Sequence, residues 1–262
     1  MILVDTHAHL NFKAFAEDYL GVAQRSRIEG VEALVIPGSN VETSEKAVLV
    51  CANINKKLGE NFAYVAVGIH PVHSDEIKEF PIIEELSRDN LVVAIGEAGM
   101  DRYHLKNEEE IIKQKKLFRE HIDLALEIEK PLIVHNREAD EDVLGVLKTY
   151  SKLPKMVFHC FSSDWGFAQE ILILGAFISF TGNITYGNRK IKKVIERVPL
   201  DRIMLDSDSP YLVPEPLRSE DTSRNEPQYI IEIAKIIANV RNISLEEVCS
   251  QTTKNAKTFF SI

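Results

Sequence analysis

Residues 92–97 read VVAIGE: four apolar positions, a glycine and then a carboxylate. A near-continuous apolar run this short, β-branched and closed by glycine, fits a strand buried on both faces of a parallel sheet. Seven more runs of this kind flank it: ILVD (2–5), ALVIP (33–37), YVAVGI (64–69), LIVH (132–135), MVFHC (156–160), AFISF (176–180) and IMLDSD (203–208). They recur at intervals of roughly 30 residues, the size of one βα unit. Helical patterns fill the gaps. Asn107 is placed to cap a helix that begins with three glutamates and continues through an apolar face of Ile111, Leu117, Phe118, Ile122, Leu124, Ala125 and Ile128. Ser244 and Glu247 have capping-box spacing before another helix.

Eight strands alternating with helices over 262 residues predict an α/β fold, the (β/α)8 TIM barrel, for which ~250 residues is typical. An open doubly wound sheet is the alternative, but no Gly-rich phosphate loop follows any of the runs. No linker or low-complexity stretch divides the chain, so residues 1–262 are expected to form one barrel domain.

Composition narrows the function classes. The chain carries 31 basic and 40 acidic side chains, a formal charge of −9, with 45% hydrophobic residues. That is a globular composition, and its acidity argues against a broad surface for coating nucleic acid. A local site whose positive charge comes from metal ions is not excluded. Cys51, Cys160 and Cys249 are widely spaced and odd in number, so no disulfide framework is expected. With no secretory pattern at the start and no apolar stretch long enough to span a bilayer, a cytoplasmic location is expected.

The chemistry lies at the ends of the strand runs. His7 and His9 follow the first, and residues i and i+2 of an extended segment point the same way. His70 ends the third run, Glu97 the fourth, His135 the fifth, His159 the sixth, and Asp208 the eighth. In a barrel these ends converge on one rim, where such enzymes keep their active sites. Imidazole with carboxylate is a ligand set for Zn, Mg, Mn, Fe or Ni. Glu97 has two oxygens and is able to bridge two ions, although the pattern by itself leaves one ion or two open. Asp208 is placed to orient a water or take its proton. Arg137, two residues beyond His135, suits bidentate phosphate binding; its bland alternative is a structural ion pair. Tyr103, Phe161 and Trp165 fall on rim loops and are candidates for base stacking, with plain packing as the alternative. The basic run NRKIKK (188–193) either guides a phosphate backbone or is a solvated first turn of a helix.

In this order the motifs resemble the TatD-type metal-dependent deoxyribonucleases of the amidohydrolase-like superfamily. They are DTHAHLN (5–11), GIHP (68–71), IGEAGMD (95–101), VHNREA (134–139), HCFSS (159–163), SFTGNITY (179–186), DSDSPYLVP (206–214) and NEP (225–227). The resemblance implies two divalent metal ions, with His7, His9, Glu97, His135, His159 and Asp208 as metal ligands and Glu97 as the bridge. It implies His70, Asp101 and Arg137 on the substrate side, with Asp208 and Glu97 as the catalytic pair. The activity implied is cleavage of DNA phosphodiester bonds by metal-activated water, trimming from 3′ ends with single-stranded DNA as substrate. Neither a membrane nor an obligate protein partner is expected. Hydrolysis of a carbonyl substrate (an amide, lactone or aminoacyl ester) is the alternative, and a non-catalytic metal-binding scaffold is a further one. The chain departs from the family pattern at Asn11, Ser163, Asp206 and Ser207. It also has LRSEDTSRNEP before the NEP motif, where the family is compact and basic; Glu220 and Asp221 there lower the expected affinity for DNA.

Overall fold

Eight parallel strands follow one another in chain order, each hydrogen-bonded to the next. They are β1 (Leu3–Asp5), β2 (Val31–Pro37), β3 (Ala63–Val67), β4 (Val92–Asp101), β5 (Leu132–Arg137), β6 (Met156–Phe158), β7 (Phe177–Phe180) and β8 (Ile203–Leu205). The computed structural model describes residues 1–59, 61–105 and 107–262. Thr6 N donates to Leu205 O at 3.0 Å and Ala8 bridges Ser209 in parallel, which brings β8 back to β1 and closes a (β/α)8 barrel.

The outer layer is made by α1 (Tyr19–Ile28), α2 (Val41–Leu58), α3 (Phe80–Leu86), α4 (Glu109–Glu127), α5 (Asp140–Leu147), α6 (Trp165–Ile173), α7 (Arg189–Arg197), α8 (Ile230–Arg241) and α9 (Leu245–Phe260). The expected cap of α4 is shifted by one residue. Glu108 occupies the capping place without a side-chain bond, while Asn107 Oδ1 still accepts from Glu110 N at 3.2 Å. Ser244 caps α9 by accepting from Glu247 N, and the reciprocal capping box is found instead at Asn40 and Thr43 of α2. No helix among the described residues is long and apolar enough to cross a membrane.

Side-chain alternation divides the core in two. Val4, Ala33, Val35, Ala66, Ala94, Ile133, Val157 and Met204 fill the barrel interior, and Ala256, Phe259 and Phe260 of α9 plug its lower end. The opposite faces of the strands pack against the helices in the larger cluster. On β3, β5, β6 and β8 the chain points inward again two residues beyond these interior positions, nearer the rim, whereas the same count from Val4 of β1 selects Thr6 and Ala8 rather than His7 and His9. Ile133 is followed in this way by His135 and Arg137, Val157 by His159, Met204 by Asp206 and Asp208, and Ala66 by Gly68 and His70. Strand β4 is out of step. Its ladder passes from Ile95↔Leu132 to Ala98↔Val134, three residues on β4 against two on β5. The extra residue is a β-bulge, and it turns Glu97, which strict alternation from Ala94 would point outward, into the barrel.

Candidate metal centre

Glu97 sits in the middle of the rim, 4% exposed, with each oxygen facing a different set of nitrogens. Its Oε2 lies 3.4 Å from His7 Nε2 and 3.8 Å from His9 Nε2, and His9 Nε2 is 3.5 Å from Asp208 Oδ1. Its Oε1 lies 2.8 Å from both His135 Nδ1 and His159 Nε2, and 3.4 Å from His70 Nε2. Within the two sets, His7 Nε2 is 3.1 Å from His9 Nε2, and His135 Nδ1 is 3.3 Å from His159 Nε2. Two nitrogens bound tetrahedrally to one ion stand about 3.3 Å apart. These spacings therefore suit donors around a shared cation. Three triads, His7–His9–Glu97, His70–Glu97–His135 and His7–His159–Asp206, bring their donor atoms within 4.8 Å of one another.

The supporting contacts differ from histidine to histidine. His135 Nε2 donates to Asp101 Oδ2 at 3.1 Å, which turns its Nδ1 toward Glu97; in the neutral ring that Nδ1 would carry the lone pair a metal ion takes. Asp101, expected on the substrate side, is fully buried. Its carboxylate also takes His104 Nδ1 and His104 N, each at 2.8 Å, and its backbone is gripped by Gln114. Its contacts are with the protein, and they orient His135. His70 has the opposite polarity: Val72 N donates to its Nδ1 at 3.2 Å, so the neutral ring carries its proton on Nε2. His7 Nδ1, His9 Nδ1 and His159 Nδ1 are buried with no hydrogen-bond partner among the described residues.

Asp206 was noticed in the sequence only as a departure from the family pattern, yet it underlies the site. It accepts from Ser179 Oγ at 2.9 Å, Cys160 N at 3.1 Å and Asp208 N at 2.8 Å, and lies 3.6 Å from His159 Nδ1. Its position two residues before Asp208, on the same face, was the available signal. The bond to Asp208 N helps hold that residue at φ 49°, a left-handed conformation that aspartate tolerates better than most residues.

Charge in the site follows from burial set against neighbours. Burial opposes ionisation of Glu97, but His159, His70 and His135 outweigh it and hold its carboxyl well below the usual carboxylate range. Burial likewise opposes a charge on His159, and Glu97 with Asp206 raises it well above the usual imidazole range. His7 and His70 move down, first through burial and then through the neighbouring imidazoles of His159 and His135. Below them, burial and the proximity of Asp206 push the Asp5 carboxyl well up.

Around the rim the expected residues divide. Arg137 and Tyr103 are exposed and in contact with each other, the guanidinium carbon 4.1 Å from the ring centroid. Phe161, by contrast, is 3% exposed and packs against Phe167 and Phe180, so it is core and not a stacking surface. Trp165 opens α6 with Arg197 over its ring. The cations of NRKIKK occupy the first two turns of α7, capped by Asn188. Glu220 and Asp221 are exposed, while Asn225 of the NEP motif is buried and donates to Ser207 O at 2.7 Å. Glu226 is gripped by Arg25 and Arg224. Cys51 and Cys249 are buried in α2 and α9 as free thiols.

Known proteins resemble this chain from end to end. The family model described as TatD related DNase matches residues 4–261. An uncharacterized metal-dependent hydrolase of Bacillus subtilis, YabD, is 37% identical over 100% of both chains. A Klebsiella pneumoniae protein named 3′-5′ ssDNA/RNA exonuclease TatD is 31% identical, over 99% of this chain and 98% of its own. Among solved structures, a hydrolase TatD family protein from Entamoeba histolytica superposes with a TM-score of 0.87 at 24% identity, covering 99% of this chain and 98% of its own. With the matched family model and the end-to-end relatives, the chain belongs to the TatD family of metal-dependent hydrolases.

Proposed function

We propose that this chain is a phosphodiesterase acting on single-stranded nucleic acid, DNA above all, entered from 3′ ends, and that it works with two divalent ions held on either side of Glu97. The observation that carries this reading is the division of the Glu97 carboxylate. One oxygen faces His7 and His9, with Asp208 beyond them, and the other faces His135 and His159. His135 fits a ligand role especially well, because ligating histidines commonly give their second N–H to a carboxylate, here Asp101. His70 fits the part of a donor to substrate, since its Nδ1 is already an acceptor and its proton lies on Nε2. Divalent ions held by these residues would supply polarisation of the phosphoryl oxygen and acidify a water for attack at neutral pH.

The protein's own side chains do the rest. Asp208 has one oxygen toward His9, and its Oδ2 has no hydrogen-bond partner among the described residues, so it takes the proton of the attacking water. His70 Nε2–H binds a non-bridging oxygen of the scissile phosphodiester, and the Arg137 guanidinium, farther out on the rim, is open to phosphate beside it. Asp101 keeps His135 in one tautomer and orientation, and Asp206 fixes the backbone of Asp208. A relative named as a single-stranded DNA and RNA exonuclease supports the choice of substrate.

The test is to strip the protein with EDTA and reload it with single divalent metals. Single-stranded DNA, duplex DNA, RNA, bis-nitrophenyl phosphate and a panel of esters, lactones and amides are then compared. Metal-dependent cleavage of single-stranded DNA, lost in Glu97→Ala and Asp208→Ala while both variants stay folded, is the expected result. Turnover confined to the carbonyl panel overturns the substrate assignment, and bound metal without any turnover points to a scaffold.

A further inference from the structure

Register at the β4–β5 lip brings two rim residues together. Asp101 is paired with Arg137, and Arg102 N donates to Arg137 O at 2.9 Å. Tyr103, two residues past Asp101, then lies against the Arg137 side chain, with the guanidinium carbon 4.1 Å from its ring centroid. Arg197 over Trp165 and Arg218 over Tyr186 are stacked in the same way, but Arg137 alone of these stands two residues beyond a histidine of the centre. Arg102 and Arg224 pair with Asp142 and Asp18, whereas the Arg137 guanidinium has no hydrogen-bond or ion-pair partner among the described residues. Tyr103 is 56% exposed even with the arginine over it. It is steadied on a second side by His104, whose ring stands at 83° with centroids 4.8 Å apart and which is anchored twice to buried Asp101.

A stacked guanidinium is held flat with its N–H donors free at the edges, so less side-chain entropy is lost when it binds an anion. Its position relative to the centre is set by the strand. His135 precedes it by two residues and points the same way, and its Nδ1 is 2.8 Å from Glu97 Oε1. Two residues of strand advance about 6.6 Å, a distance comparable with the step between successive phosphates of an extended strand.

We propose that Tyr103 and Arg137 form a subsite for the nucleotide adjoining the scissile bond, Arg137 binding its phosphate and the open ring of Tyr103 stacking its base. The subsite rests on the phosphodiesterase reading above and adds to it a reason for preferring unpaired substrate. A base inside a duplex is stacked between its neighbours and cannot reach the ring, whereas a single strand splays its bases onto aromatic surfaces.

The experiment compares metal-loaded wild type, Tyr103→Phe, Tyr103→Ala and Arg137→Lys on single-stranded oligonucleotides and on bis-nitrophenyl phosphate. The reading is the ratio of kcat/KM on oligomer to that on the small diester. Tyr103→Ala is expected to lower this ratio about tenfold through KM, and Tyr103→Phe to restore it. An oligomer lacking the adjoining base should erase the difference between wild type and Tyr103→Ala. Anisotropy of a labelled oligomer reads binding separately. Tyr103-dependent binding without cleavage would uphold the subsite and overturn the nuclease reading. Cleavage of single-stranded DNA with the same ratio in Tyr103→Ala as in wild type would keep the nuclease reading and overturn the subsite.

Discussion

Replacing Gly68 by alanine should damage the centre without unfolding the barrel. A Cβ on Gly68 would lie 2.7 Å from Gly96 C, 2.8 Å from Gly96 Cα and 3.0 Å from Glu97 N. Carbon atoms normally rest about 3.5–4.0 Å apart, so the facing chain must retreat by about 1 Å. All three atoms are main chain, and no rotamer change absorbs the strain. The segment that retreats is the bulge that turns Glu97 inward. Gly68 lies outside the left-handed region, so space and not backbone conformation excludes the methyl group. Overpacking of this kind costs about 1–3 kcal/mol, less than the about 5–15 kcal/mol that holds a domain together. Misplacing a reacting group by about 1 Å costs on the order of a hundredfold in rate. Urea unfolding, metal content and turnover of Gly68→Ala should therefore show a folded, modestly destabilised protein that retains metal poorly and is about a hundredfold slower. Gly145→Ala in α5 is the control, because nothing lies within 4 Å of its added methyl; helix propensity stabilises it by about 1 kcal/mol. Wild-type metal content and turnover in Gly68→Ala would refute the claim that this close approach sets the position of Glu97.

His121 is fully buried in α4, with Nδ1 donating to Leu117 O at 2.8 Å and Nε2 accepting from Ile69 N at 3.0 Å. Burial holds its pKa down to about 4. Because the folded value lies below the unfolded one near 6.5, its contribution is intact above that pH and is lost as pH falls toward 4, about 3 kcal/mol in all. Urea unfolding at pH 7.5 and 4.5 should show this pH dependence in wild type and a much smaller one in His121→Gln; parallel curves would contradict it. Asp101→Asn removes the charge that holds His135, and zinc titration should show affinity weaker by about 10–100-fold with the fold retained. Phe161→Ala should destabilise by about 3–5 kcal/mol in urea unfolding, as expected for a core phenylalanine. A near-neutral result would return Phe161 to the rim surface.

All eight strands could be read from sequence because burial on both faces leaves short, almost unbroken apolar runs. Their ends were harder to place. MVFHC was expected to continue to Cys160, but β6 stops at Phe158, since His159 and Cys160 leave the ladder for the site. Strand β4 instead runs on to Asp101, past the bulge. Polar residues at strand ends pointed to the rim because a two-residue period gathers His135, His159 and Asp208 on the inner face. The bulge at Glu97 breaks that period, and no local composition announces it. Asp101 was read on the substrate side, and Asp206 and His121 escaped, for a related reason. Their roles depend on partners 34, 46 and 52 residues away in the chain, His135, Cys160 and Ile69, which only the closed barrel brings near. Phe161 and Tyr103 looked alike as loop aromatics, and packing alone separates them.

The most direct measurement is anomalous diffraction from the protein loaded with zinc or manganese. The expected result is two peaks, one at each oxygen of Glu97, the first within reach of His7, His9 and Asp208 and the second of His135 and His159. Peaks elsewhere on the molecule, or ions at the rim that Glu97 does not touch, would contradict the assignment of Glu97 as the shared ligand of the centre.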